Sequence, residues 1–198
     1  SEDSAGVLLT DRFPASGAGT VLRGFMVKDD GKVEPEVQVV EYYAPALKRY
    51  FITGRAGEQT ALDGLPQSFQ RTGMKFTAKS SKYRDIAEQP VCRMYASPEK
   101  GMSNSHFYGI GSDCATLNKL SGLKYEGYDF SILKPTAEQA CPAEASKPVT
   151  RLFNNKVASN ESNHRYVVSA ATKAKMLSQG WVDEGVVFCA SAVTDAGS

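Results

Sequence analysis

The chain has 198 residues, 23 of them basic and 22 acidic, for a formal net charge of +1. That length supports one domain or two small ones with a substantial core. The balanced charge excludes a field that would steer a polyanion, so nucleic acid is not an expected partner. The chain contains no run of eighteen apolar residues, so no transmembrane segment is expected. It opens Ser1-Glu2-Asp3-Ser4-Ala5, without a charged leader and apolar stretch, and reads as a mature start whose signal peptide has been removed.

Residues 1–36 form an arm in which Gly6–Thr10 and Val21–Val27 read as strands around a loop, Pro14–Gly19, with a turn signal at Asp29–Lys32. The arm is expected to pack on the rest of the chain, because Leu22, Phe25 and Val27 would otherwise lie in water. Val37–Tyr43 is dense in β-branched and aromatic residues and predicts a strand. Ala44–Lys48 connects it to a second strand at Arg49–Phe51. A helical stretch follows over Gly54–Gly64, capped by Thr53, and then a third strand over Phe69–Phe76. Lys79–Pro90 is a polar connection.

The same order returns as strand Val91–Tyr95, turn-rich loop Ser97–Asn104, strand His106–Tyr108, helical stretch Ser112–Leu120 and strand Leu123–Phe130. A polar connector, Lys134–Lys147, leads to strand Val149–Phe153, polar loop Asn154–Asn163 and a strand around His164–Tyr166. Helical stretch Ser169–Gln179 and strand Trp181–Cys189 complete the pattern. Residues 191–198 form a tail expected to fray from Thr194 onward. Arg49, His106 and His164 are 57 and 58 residues apart, and Gly73, Gly127 and Gly185 are 54 and 58 apart. Such spacing is the mark of internal repeats, each too small to bury its apolar face alone. The expected architecture is therefore α+β, a single repeat domain over 37–190. Its three pseudo-symmetric copies, about 37–78, 91–132 and 149–190, are each a small antiparallel sheet of about three short strands plus one helix. They are expected to close into a ring or propeller-like body.

Four cysteines allow three pairings, and spacing alone does not choose among them. The repeat pattern favours Cys92–Cys114 and Cys141–Cys189, each stapling one copy to itself. Paired disulfides imply an oxidising compartment: extracellular, cell-surface or periplasmic. Two histidines and no zinc-type spacing leave no expected metal site, and no cofactor motif is present.

Val91-Cys92-Arg93-Met94-Tyr95, Asn104–Tyr108, Tyr125–Phe130, Cys141-Pro142, Asn163–Tyr166 and Gly180–Cys189 together resemble a secreted bacterial repeat domain of unknown function. The resemblance covers roughly residues 37–190. It implies a domain at the end of a secreted or surface protein, sometimes beside a hydrolase, and implies no catalytic residues. The first copy departs from it, with Arg49-Tyr50-Phe51 in place of His-Phe-Tyr and Thr72-Gly73 in place of Glu-Gly.

Alternation along a strand places Glu126 with Tyr128 and Phe130, and Glu184 with Val186 and Phe188. Each buried carboxylate then needs a partner, and the expected structural ion pairs are Arg93–Glu126 and Arg151–Glu184. In the first copy Glu41 is expected to pair with Arg49. The chain lacks a Gly-x-Ser-x-Gly elbow, a His-Glu-x-x-His pair and a phosphate loop, so it reads as non-catalytic. Tyr43, Arg49, Tyr95, His106, Tyr108, His164, Tyr166 and Trp181 are the candidate ligand-binding residues, since aromatic faces stack on sugars. The expected function is a monomeric secreted or surface binding module for glycan or cell-wall material. Alternatives are a protein-binding accessory or inhibitor of a secreted hydrolase, and a small hydrolase using His106 or His164.

Overall fold

A computed structural model describes residues 36–82 and 88–196. The β-branched and aromatic runs become strands β1 (Glu36–Ala44), β2 (Arg49–Thr53) and β3 (Gln70–Ser80), with helix α1 (Ala56–Asp63) between the last two. Next come β4 (Glu88–Ala96), β5 (Ser105–Ile110), α2 (Asp113–Leu117) and β6 (Leu123–Leu133). The third series is β7 (Lys147–Phe153), β8 (His164–Val167), α3 (Ala170–Ser178) and β9 (Val182–Ala190), and β10 (Val193–Thr194) ends it. The first strand of each series lies between the other two, so β1 pairs with β2 and β3, β4 with β5 and β6, and β7 with β8 and β9, all antiparallel.

The α+β expectation of three pseudo-symmetric repeats closed into a ring or propeller is corrected by this structure. The strands form one open ten-stranded antiparallel sheet, ordered β2-β1-β3-β6-β9-β7-β8, with β4 and β5 attached through β6 and β10 on β3. The cause lies in the ends of the third strands. β3 and β6 run for 11 residues each, beyond the short strands expected, and their ends carry backbone groups that need partners. Those groups pair with each other, at Lys79↔Ser131 and Ser80↔Phe130 between β3 and β6, and at Leu133↔Cys189 between β6 and β9. The helices are too small to form a layer: α1 buries no residue, α2 buries only Cys114, and α3 buries Thr172 and Met176. Thr53 does not cap α1. Arg55 holds that position, and Thr53 Oγ1 accepts the Arg55 amide at 3.1 Å.

Phe76, Phe130 and Phe188, one from each long strand, meet in the main core with ring centroids 5.6 and 5.7 Å apart. Tyr166 stacks on Phe188 and meets Tyr108 edge-on. Cys92 is bonded to Cys114, holding α2 against β4, and Cys141 is bonded to Cys189, holding the β6–β7 connector against β9. Gly109 permits the first closure, because a Cβ there would lie 2.4 Å from Leu117 and 3.2 Å from the Cys92 sulfur.

The expected strands at Gly6–Thr10 and Val21–Val27, and the packing of the arm, lie outside the described residues, as does the middle of the Lys79–Pro90 connection. The tail does not fray at Thr194. β10 pairs with β3, and Asp195 accepts hydrogen bonds from Thr172 Oγ1 at 2.6 Å and from the Ser169 hydroxyl. Among the described residues no helix is long and apolar enough to cross a membrane.

Candidate functional site

The site begins with three β-bulges. The register of β1 against β3, β4 against β6 and β7 against β9 slips opposite Glu41, Arg93 and Arg151. On the long strand each slip contains a glycine of positive φ: Gly73 at 89°, Gly127 at 86° and Gly185 at 86°. A bulge of this kind re-aims the side chain beside it. Glu126 is thereby turned onto Arg93, whose Nε donates to its carboxylate at 2.8 Å, and Glu184 onto Arg151 at 2.7 Å. A histidine from the neighbouring hairpin strand completes each group: His106 Nε2 lies 3.2 Å from Glu126, and His164 Nε2 lies 3.3 Å from Glu184.

The first bulge carries different chemistry. Thr72 Oγ1 donates to Glu41 at 2.7 Å, and Glu41 is held by Arg165 through Nε at 3.0 Å and Nη2 at 2.9 Å. The expected Glu41–Arg49 pair is therefore corrected. In the β1–β2 register Tyr43 faces Tyr50 and Ala44 faces Arg49, while Tyr95 faces His106 and Phe153 faces His164. Tyr50, not Arg49, occupies the histidine position, one residue away from where sequence matching puts it. Side chains alternate across a strand, so this single-residue offset turns Arg49 away from Glu41.

Loops 44–49, 97–104 and 154–163 are tied together at one end of the sheet. Arg49 Nε donates to the Ser103 carbonyl at 3.2 Å, and Asn160 Nδ2 to the Gly101 carbonyl at 3.0 Å. The Tyr50 amide donates to buried Asn163 at 2.8 Å, and Asn163 Nδ2 returns a bond to the Tyr50 carbonyl at 3.0 Å. Between β2 and β5 this end opens into a cavity of about 310 Å³. Phe51, Phe69 and Tyr95 supply its aromatic walls, and Arg49, Glu58, Asn104, His106 and Glu126 its polar groups.

Two of its polar groups, Glu58 and Glu126, are set from behind by buried Arg93. Besides Glu126, Arg93 grips Glu58 of α1 at 2.6 and 2.9 Å and Asp129 at 3.2 Å. Asp129 accepts the Gly54 amide at 2.6 Å and lies 3.6 Å from Arg55. Burial pushes the Glu126 pKa up, but the His106 hydrogen bond and the charges of His106 and Arg93 outweigh it and hold the group at about 2. Glu58 is likewise held below the usual range, burial being overcome by its Arg93 hydrogen bonds. Asp129 moves the other way, because burial dominates over Arg93 and the Gly54 amide.

His164 is a different case. Its ring stacks on Phe153 and meets Phe107 edge-on, both at 4.8 Å. Burial lowers its pKa to about 4 against the opposing charge of Glu184. Between pH 6.5 and 4 the unfolded chain takes up a proton that the native ring refuses, so stability falls as pH drops through that window. The loss amounts to about 3 kcal/mol at completion. His164→Phe is expected to flatten that segment of a stability-versus-pH curve measured by urea unfolding. An unchanged slope would mean the ring is charged in the native state. Glu126 acts lower: its contribution is complete above about pH 4.5 and disappears as pH falls toward 2.

Of the candidate ligand residues, Arg49, Tyr95 and His106 line the 310 Å³ cavity. Tyr43, Arg49 and Trp181 line a smaller one of about 170 Å³ beside it. Tyr108 and Tyr166 are core rings, 2% and 1% exposed, and the Tyr108 hydroxyl bonds the Ile52 backbone. His164 lines neither of these two cavities. Sequence reasoning missed Glu58, Asp129 and Arg165. Asp129, a carboxylate inside an apolar strand between Tyr128 and Phe130, was a visible signal. Glu58, 35 residues from its arginine, left none.

No curated protein and no solved structure matches the chain. The model of one family matches residues 38–191, a stretch that contains both disulfides, all three bulges and every residue of the cavity. On that match the chain belongs to the family described as a domain of unknown function (DUF5648).

Proposed function

We propose that the domain is a secreted or surface-displayed binding module for saccharides, with the 310 Å³ cavity between β2 and β5 as its binding site. The observation that carries this reading is the convergence, in one cleft, of aromatic faces and fixed hydrogen-bonding groups. Phe51, Phe69 and Tyr95 offer ring surfaces, and Asn104 and His106 offer polar atoms beside them. Tyr95 is positioned by its hydroxyl, which donates to Asn104 at 2.7 Å. A cleft that pairs ring faces with a few placed polar groups suits a sugar, whose own faces alternate between C–H and hydroxyl. The two disulfides are compatible with an oxidising compartment.

Calorimetric titration against a panel of oligosaccharides, including chitin and cell-wall fragments, tests it. Tyr95→Ala is expected to weaken binding by about 10-fold or more, and Leu120→Ala, an exposed residue outside the cleft, to leave it unchanged. Failure to bind any saccharide, with co-purification of a secreted hydrolase, would favour the accessory or inhibitor reading. A hydrolase reading has one observation on its side, the contact between His106 and Glu126 inside the cleft. Saccharide turnover that vanishes in His106→Gln would support it.

A further inference from the structure

Of the six arginines among the described residues, five lie against carboxylates: Arg55 on Asp129, Arg71 on Asp63, Arg93 on Glu58, Arg151 on Glu184 and Arg165 on Glu41. Arg49 is the exception. Backbone carbonyls alone hold it, with Nε on Ser103 and Nη1 on Leu47 at 2.9 Å and Lys48 at 3.5 Å. Among the described residues Nη2 has no hydrogen-bond partner. A guanidinium fixed in this way has already lost the side-chain freedom that binding would otherwise cost.

Its place makes that meaningful. Arg49 and Tyr50 line both the 310 Å³ cavity and the 170 Å³ cavity beside it. The two therefore adjoin, with Arg49 at the junction. The smaller one adds Tyr43 and Trp181 as ring surfaces and Lys48 and Lys156 as further cations, against the single carboxylate of Glu161. In the larger cavity Glu58 and Glu126 share the single guanidinium of Arg93, so the surplus of cations lies at Arg49 and the smaller cavity, which is where a ligand's carboxylate is placed. Burial lowers the Arg49 pKa, and the charge of Glu161 opposes this without outweighing it.

We infer that the two cavities are adjoining subsites of one groove for an acidic oligosaccharide, with Arg49 binding a sugar carboxylate at the junction. The inference rests on the saccharide-binding reading above and names the class of ligand. A carboxylate accepts a charge-assisted hydrogen bond from Nη2 while its ring and the next sugar lie on Tyr95 on one side and Trp181 on the other.

The test compares hexamers of galacturonate, of N-acetylglucosamine and of a sulfated neutral sugar, titrated into the whole chain. The carboxylated hexamer is expected to bind about 10-fold tighter than the neutral one, and the advantage to shrink as salt rises. Arg49→Gln is expected to abolish that advantage, read as the ratio of acidic to neutral affinity within the same variant. Because Arg49 also ties two loops, Lys48→Gln with Lys156→Gln serves as a second variant, expected to reduce the advantage without touching the Ser103 bond. Equal affinity for acidic and neutral hexamers, or an advantage that survives Arg49→Gln, would overturn the inference and leave saccharide binding standing. A preference for the sulfated hexamer would overturn the carboxylate assignment. No binding of any hexamer would overturn both readings.

Discussion

Glu41→Ala is expected to destabilise the domain by about 3–5 kcal/mol, which for a chain of this size lowers the melting temperature by roughly 10 °C. Glu41 is fully buried and Arg165 is 2% exposed. The two meet through both carboxylate oxygens. Arg165 has further neighbours in the Tyr50 ring, 4.0 Å from its guanidinium carbon, and the Met176 sulfur at 3.2 Å, but neither supplies a countercharge. Removing the acid takes away both charge-assisted hydrogen bonds and leaves the buried guanidinium with the smaller effect of the Asp195 charge. Burial raises the Glu41 pKa while the Arg165 hydrogen bonds and charge oppose it, so Glu41→Gln, which keeps shape and one acceptor, should cost less than alanine. Replacing the pair together, as Glu41→Leu with Arg165→Met, should recover much of the loss, since no charge then remains buried. Urea unfolding of the four proteins measures this. A double variant as unstable as Glu41→Ala would show that the pair acts through something other than mutual neutralisation.

The second large effect is expected from the disulfides. Opening Cys141–Cys189 by paired serine substitution should cost about 4 kcal/mol in the chain-entropy account, and opening Cys92–Cys114 about 3 kcal/mol. The order follows from the closures, which span 48 and 22 residues. The longer one also secures the β6–β7 connector over Leu133, Ala145 and Val186. Equal losses, or a larger loss from the shorter closure, would mean that local packing around α2 outweighs chain entropy.

Local structure was legible because its causes are local. The nine principal strands coincide with runs of β-branched and aromatic residues, and the helices with the stretches between second and third strands. The bulge glycines stood out by spacing, and with them the carboxylates they aim. Arg93 and Glu126, like Arg151 and Glu184, belong to strands paired within one series, so pairing within the series, with the bulge beside each carboxylate, was enough to bring them together. Sequence matching also misled. Arg49 sits beside Tyr50 in the sequence, and only the cross-strand register shows which of them faces β1 as His106 and His164 face their own partners.

What the chain by itself determined, then, was which segments extend, where they bulge and which faces carry charge, because those depend on neighbours a few residues away. The tertiary structure alone decided the rest. It merged the long strands into one open sheet and placed Glu58 on Arg93 across 35 residues, Asn163 on Tyr50 across 113, and Arg165 on Glu41 across 124. A buried ion or an unpaired strand end requires a partner but does not specify one. The partner is whichever complementary group the packing of the whole core brings within reach.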